Sequence, residues 1–204
     1  IGSPTFSIYK TLKPDNIKKK FTICYISQWT PFLLTNKDHV ENPKISNILK
    51  LEKNLKKFLQ KYDHSIVFAL RSFNKDAEYE YFNSNFGERG EIYIRKNYFD
   101  TYELIEKSDV TLTGWSTCGY EAFADNNKVL FNPYDAKDLQ LFNNDLCTIE
   151  DDNFDVFENK LNNLLNITEN EFYEKTFKDQ QKIIDKSCLH NAHLKIKENI
   201  IKSA

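Results

Sequence analysis

Methionine is absent from the 204 residues of this chain. Because not even an initiator is present, a chain that begins Ile1-Gly2-Ser3-Pro4 is expected to be a fragment or a processed product. No apolar run approaches the ~20 residues that a membrane-spanning helix needs, and no basic start followed by an apolar stretch marks a signal peptide. These residues therefore predict neither a spanning helix nor a secretory signal.

Paired cysteines and clustered charge are also missing. The four cysteines are widely spaced, with no C-x-x-C pair, so we expect reduced thiols, a cytoplasmic protein and no zinc site. The 28 Lys and Arg nearly balance the 30 Asp and Glu, for a formal net charge of −2. Because the basic residues are scattered, we expect no nucleic-acid partner.

Apolar segments rich in β-formers alternate with segments of helical periodicity. The predicted strands are 21–26, 65–70, 91–95, 108–113 and 128–132, with a weak one near 146–149. The predicted helices are 45–62, 77–86, 98–107, a short one that ends near 124, and, in the tail, 153–165, 169–186 and 190–201. This alternation predicts an α/β, Rossmann-like domain over 21–204, with a parallel sheet covered by helices on both faces and a carboxyl-terminal helical tail. Residues 1–20 are predicted to be an interdomain linker.

Ligands of such sheets bind outside the carboxyl ends of the strands. The residues that follow four of the predicted strands carry hydroxyl, amide or guanidinium groups, which suit an anionic ligand. They are Ser27 and Gln28, Arg71 and Ser72, Arg95 and Lys96, and Gly114 to Thr117. The sequence therefore predicts one anion-binding cleft formed by separate segments.

The stretch from Ser108 to Ala124 predicts a strand, a small-residue turn and a helix. Backbone N–H groups of the turn, starting at Gly114, and the hydroxyls of Ser116 and Thr117 would converge on a phosphate. The alternative is that the two hydroxyls only cap the helix. Glu121 follows Thr117 by one helical turn, so it is expected to face the same cleft and contact a ribose, unless it only favours the positive helix end.

Arg71 directly follows a buried strand, where a charge is costly without a partner. The partner is either an anionic ligand or one of two acids on the next helix, Glu78 and Glu80. If a ligand binds there, Arg71 would offset the charge of a leaving phosphate. No Asp-x-Asp pair or His cluster predicts a metal, and no cofactor is expected.

The run Asp109-Val-Thr-Leu-Thr-Gly-Trp-Ser-Thr-Cys-Gly-Tyr-Glu-Ala-Phe-Ala124, followed by Lys128-Val-Leu-Phe131, resembles the donor-binding half of GT-B glycosyltransferases. It is most similar to bacterial capsule, lipopolysaccharide and teichoic-acid transferases. The resemblance implies that Ser116 and Thr117 hold the donor phosphates and that Glu121 holds the ribose. It also implies that Gly2-Ser3-Pro4 is the crossing between two halves. Thr113 stands where retaining members often carry a second Glu, which puts that subclass in doubt.

The resemblance implies a metal-independent glycosyltransferase of surface-polysaccharide synthesis that uses a nucleotide-activated sugar and a glycan acceptor. Its amino-terminal, acceptor-binding half would be a separate part of the enzyme that these residues lack. Peripheral association with the inner face of the membrane is left open. Two alternatives also stay open: a CDP-glycerol phosphotransferase or sugar-nucleotide 2-epimerase on the same fold, and a non-catalytic binding or assembly module.

Overall fold

A computed structural model describes residues 3–30, 42–71, 75–134, 140–184 and 192–203. Within these ranges, five strands form one parallel sheet in the order β3-β2-β1-β4-β5. They are β1 (Phe21–Ile26), β2 (Ile66–Ala69), β3 (Glu91–Tyr93), β4 (Ser108–Thr113) and β5 (Val129–Phe131). The predicted parallel α/β fold is confirmed. The weak strand expected near 146–149 is reduced to one isolated parallel bridge between Phe131 and Thr148.

Eight helices lie in the described ranges, each beginning within two residues of its predicted start except the first, which was not predicted. They are α1 (Pro4–Leu12), α2 (Pro43–Lys61), α3 (Lys75–Phe86), α4 (Asp100–Glu106), α5 (Thr117–Ala124), α6 (Phe154–Asn166), α7 (Glu169–Ile183) and α8 (Ala192–Ser203). Local capping fixes several starts, such as the capping box of Thr168 and Glu171 at α7. No helix in the described part of the chain is long and apolar enough to cross a membrane.

Helices cover both faces of the sheet, as predicted. The strand register places Tyr25, Leu112 and Leu130 on one face and Phe131 on the other. On the first face, the Tyr25 ring packs 5.8 Å from Phe82 of α3, and its hydroxyl donates to Glu52 of α2. On the second face, Phe131 stacks on Tyr120 of α5 at 4.6 Å. The sheet is therefore the middle layer of the domain, and its strand ends are left for binding.

Within the predicted linker over 1–20, residues 4–12 form α1, a helix that the sequence did not predict. Ser3 is the N-cap and accepts from the Phe6 N–H at 3.3 Å, and Pro4 supplies a favourable φ at the first helical position. Phe6 and Tyr9 are each 2% exposed and pack on Tyr102 of α4. Helix α1 therefore belongs to the core of this domain. The interdomain role of residues 1–20 stays a prediction.

Removing the buried ring of α1 should destabilise the domain. We expect Phe6→Ala to lower the free energy of unfolding by about 3–5 kcal/mol, as for other buried Phe residues. Leu12→Ala, on the same helix at a position 67% exposed, should change it by less than about 0.5 kcal/mol. Urea denaturation of both variants measures the difference. Equal, small effects would show that α1 is not part of the cooperative core.

Candidate functional site

A cavity of about 300 Å³ lies at the carboxyl ends of the strands. The strand order reverses between β1 and β4, and ligands of open α/β sheets bind at this switch point. The lining comes from the ends of four strands, which the sequence predicted, and from α4 and α5. The lining residues are Ile26, Ser27, Gln28, Ala69, Leu70, Arg71, Arg95, Thr101, Trp115, Ser116, Thr117 and Cys118.

Gln28 joins the two strand ends that flank the switch point. Its Oε1 accepts from the N–H groups of Gly114 at 2.8 Å and Trp115 at 3.1 Å. A third N–H of the turn, that of Ser116, donates to Thr113 Oγ1 at 3.3 Å. Protein acceptors therefore occupy these N–H groups in this structure, and a phosphate would have to displace those acceptors to bind them. The predicted phosphate contact of Gly114 stays a prediction. With Oε1 fixed, the Gln28 Nε2 donor is left without a partner among the described residues.

Ser116 and Thr117 present free hydroxyls at the start of α5. Ser116 is the N-cap by backbone geometry, but its side chain makes no capping hydrogen bond. Thr117 is exposed, and neither hydroxyl bonds to any described residue. The first-turn N–H groups of a helix also lack intrahelical partners. This arrangement does not support the interpretation of the two hydroxyls as caps, and it leaves them available to an anionic ligand.

Two arginines supply positive charge to the cavity. The exposed Arg71 guanidinium makes one long hydrogen bond, 3.4 Å, to the Trp29 carbonyl and no ion pair within the described ranges. Arg95 is held by the Asn97 carbonyl at 2.9 Å and lies over the Tyr98 ring. No carboxylate is among the described lining residues. Positive charge is therefore not neutralised within the cavity. Ser72, predicted beside Arg71, lies outside the described residues.

Glu78 contacts the cavity wall from behind. Its Oε1 accepts from the Ser27 hydroxyl at 2.5 Å and from the Arg71 backbone N–H at 3.0 Å, so it does not pair with the Arg71 guanidinium. The Ser27 hydroxyl also accepts from the Trp29 N–H and is therefore already engaged, although Ser27 lines the cavity. Burial raises the pKa of Glu78 to about 7, against the opposing effect of its hydrogen bonds from Ser27 and Arg71.

Glu121 was predicted to face the cleft, but it does not line the cavity. The residue is 5% exposed, and its carboxylate accepts from the Tyr102 hydroxyl at 2.5 Å and from the Ser3 side chain. Thr117 and Glu121 do share a helix face, but α4 and the start of α1 cover that face one turn in from the helix end. Burial raises the pKa of Glu121. Its predicted ribose contact stays a prediction.

Arg95 was named from the sequence on the same signal as Arg71, a charge directly after a strand, and it lines the cavity. Thr101 and Cys118 also line the cavity but carried no sequence signal, because their positions depend on how α4 and α5 pack. Burial raises the pKa of the Cys118 thiol, so it stays neutral near pH 7 and is a poor nucleophile. Within the described ranges, no three His, Cys, Asp or Glu side chains converge in a metal-binding group.

Comparisons with known proteins show the fold and no closer relationship. No protein-family model matches the chain, and no curated protein sequence matches it. A 2.2 Å crystal structure of a Listeria monocytogenes protein, provisionally assigned as a UDP-N-acetylglucosamine 2-epimerase, superposes with a TM-score of 0.59 at 13% identity. The match covers 100% of this chain and 53% of that chain. The chain thus shares its Rossmann-like fold with about half of that protein.

The contact between Gly114 and Gln28 should be measurable as a coupling. A Cβ at Gly114 would overlap Gln28 Oε1 and lie 3.3 Å from Asn47 Nδ2. We expect Gly114→Ala to cost about 1–3 kcal/mol of unfolding free energy through overpacking and loss of the Gln28 bonds. In a Gln28→Ala background the overlap is gone, so the same change should cost about 0.5–3 kcal/mol less. Additive costs in a denaturation cycle would contradict this bridge.

Proposed function

We propose that this chain binds the diphosphate of a nucleotide-activated sugar and is the donor-binding half of a glycosyltransferase of bacterial surface-polysaccharide synthesis. One observation carries the proposal. The cavity at the switch point combines two unneutralised guanidinium groups with free hydroxyls at a helix start, and no described carboxylate lines it. Such a combination favours a multiply charged anion over a neutral or cationic ligand.

The phosphates would contact the side chains that have free donors. Ser116 and Thr117 would donate their hydroxyls, and the start of α5 would contribute its positive end. Gln28 would donate from Nε2, because its Oε1 is fixed by the turn. Ser27 would support the wall through Glu78 rather than contact the ligand by its hydroxyl. In this arrangement Glu121 makes no ligand contact.

The chemistry would be cleavage of the bond between the sugar anomeric carbon and the diphosphate oxygen. The leaving nucleoside diphosphate gains negative charge, which Arg71 and the start of α5 would stabilise without a metal. The acceptor hydroxyl would attack the anomeric carbon and lose its proton to a base. Both the acceptor site and that base would come from another part of the enzyme.

A sugar-nucleotide 2-epimerase is the second candidate, favoured by the name of the structural neighbour. Epimerisation at C2 removes the C2 proton and returns one from solvent to the other face. Incubation with UDP-N-acetylglucosamine in D2O would therefore place deuterium at C2. Glycosyl transfer or hydrolysis would leave the C2 proton in place and release UDP. Proton NMR of the sugar distinguishes the two reactions.

Binding is the first test of either candidate. Saturation-transfer NMR against CMP, CDP, UDP, GDP and their sugar conjugates should show at least one ligand, with contacts to the diphosphate-bearing compounds. Calorimetry of the positive ligand then gives its affinity. Absence of binding to every compound would favour a non-catalytic assembly module.

Arg71→Ala should weaken binding of the nucleotide sugar by about 10- to 100-fold, the effect of one charge-assisted contact of 1.5–3 kcal/mol. The matched control is Arg89→Ala, an exposed arginine two residues before β3, at the opposite end of the parallel sheet. It removes the same charge and should change the affinity less than twofold. Equal losses in the two variants would indicate a long-range charge effect instead of a contact at Arg71.

Gln28→Glu separates the structural bond of this side chain from its ligand contact. One carboxylate oxygen can still accept from Gly114 and Trp115, so the midpoint of urea denaturation should stay close to that of the wild type. The other oxygen replaces the Nε2 donor by negative charge, so affinity for the nucleotide sugar should fall at least about tenfold. Wild-type affinity in a folded Gln28→Glu variant would show that Nε2 does not face the ligand.

A further inference from the structure

We propose that Glu78 is a positioning residue that holds the wall of the cleft together and takes up a proton when an anion binds. The inference deepens the proposed function and rests on it for the identity of the anion. Glu78 does not line the cavity, so it would act through Ser27 and Arg71. Neither its position in the sequence nor the resemblance had pointed to this role.

One oxygen of Glu78 connects the ends of two neighbouring strands. Oε1 accepts from Ser27, which follows β1, and from the backbone of Arg71, two residues beyond β2. The Ser27 hydroxyl in turn accepts from the Trp29 N–H, and the Trp29 carbonyl accepts from the Arg71 guanidinium. These bonds form a closed connection, so the placement of the Arg71 guanidinium depends on the carboxyl group of Glu78.

The second oxygen of Glu78, Oε2, makes the stability of the ionised carboxylate, and so the charge of Glu78, depend on pH. Glu78 is fully buried (0% exposed), and Oε2 makes no hydrogen bond with any described residue. An ionised carboxylate with one unsolvated, unpaired oxygen is costly, and the neutral acid costs less. Burial accordingly raises its pKa to about 7. Near pH 7, Glu78 is therefore divided between its neutral and its ionised form.

Among the described residues, few charged or titratable groups lie around Glu78. Arg71 favours its ionised form, and Glu52 of α2 opposes that form. Burial keeps the pKa values of Tyr25 on β1 and Tyr81 on α3 well above neutral, so both stay uncharged. Among the described residues that line the cavity, the Cys118 thiol could titrate as well, but its raised pKa keeps it neutral.

An anion in the cavity would add negative charge on the other side of Ser27 and Arg71. The anion would pair with the Arg71 charge that now stabilises the ionised form of Glu78, and it would repel the ionised carboxylate. Binding therefore favours the neutral acid and raises the pKa of Glu78 further. By linkage, binding is accompanied by proton uptake at pH values between the pKa of the free protein and the higher pKa of the complex, and affinity falls as the pH rises through that window.

The test uses UDP-N-acetylglucosamine, whose two phosphates are both esterified and do not titrate between pH 6 and pH 8. We expect its Kd with the wild-type chain to rise about 5- to 10-fold from pH 6 to pH 8, for a pKa that shifts from about 7 by one or more units. Calorimetry at pH 8 in two buffers of different ionisation enthalpy should show uptake of roughly half to one proton.

Glu78→Gln keeps an Oε1 acceptor for Ser27 and Arg71 but cannot titrate. At pH 8 this variant should bind as tightly as the wild type binds at pH 6. Its own Kd should change less than twofold between pH 6 and pH 8. The matched control is Glu52→Gln. Glu52 is also buried, has a pKa of about 7 and accepts from Tyr25 and Tyr81, but it does not contact the wall. This variant should still bind more weakly as the pH rises, as the wild type does, with the titration displaced to lower pH because the Glu52 charge that opposes the ionised form of Glu78 is gone.

The outcomes separate the two proposals when sulfate, which does not titrate here, is used as a second probe. Equal wild-type affinity at both pH values, an unchanged slope in Glu78→Gln, or loss of the slope in Glu52→Gln would overturn the role of Glu78 and leave the proposed function intact. Sulfate binding with the expected slope, without nucleotide-sugar binding, would overturn the proposed function and support the role of Glu78. Failure of both probes to bind would overturn both.

Discussion

The site depends on one amide oxygen. Parallel strands β1 and β4 are neighbours, but the chain leaves them in opposite directions across the sheet, so their following segments separate. Gln28 Oε1 spans the gap and fixes the turn that begins α5. Gly114 permits this contact because it has no side chain where Oε1 lies. Behind the turn, the buried Asn47 of α2 donates to the Asn132 carbonyl at 2.6 Å and anchors the end of β5.

The same packing determines the electrostatics of the cavity. Two carboxylates lie close behind its wall, and each faces donors of the protein: Glu78 faces Ser27 and the Arg71 backbone, and Glu121 faces Tyr102. Negative charge is therefore turned away from the cavity, while the guanidinium groups of Arg71 and Arg95 line it. An anion would bind to positive groups, one of which, Arg71, is held through its backbone by the buried Glu78.

The sequence predicted the sheet, the order of elements and the strand ends that form the cavity, because apolar periodicity and parallel topology determine these features. It did not predict α1, whose stability comes from Phe6 and Tyr9 packing on the distant Tyr102. It also gave no sign that Gln28, 86 residues from Gly114 in sequence, accepts from the backbone donors of the turn. Partners far apart in the chain are not visible in local patterns.

Glu121 shows why a motif does not fix a side chain's role. Its carboxylate accepts from Tyr102 and from Ser3, and the same Ser3 oxygen caps α1. For Glu121 to reach a ribose, both bonds would have to break, and the cap of α1 would lose its fixed orientation. A ribose contact and the present docking of α1 therefore compete for one carboxylate. If the resemblance to donor-binding domains holds at this position, nucleotide binding must be coupled to movement at the start of α1.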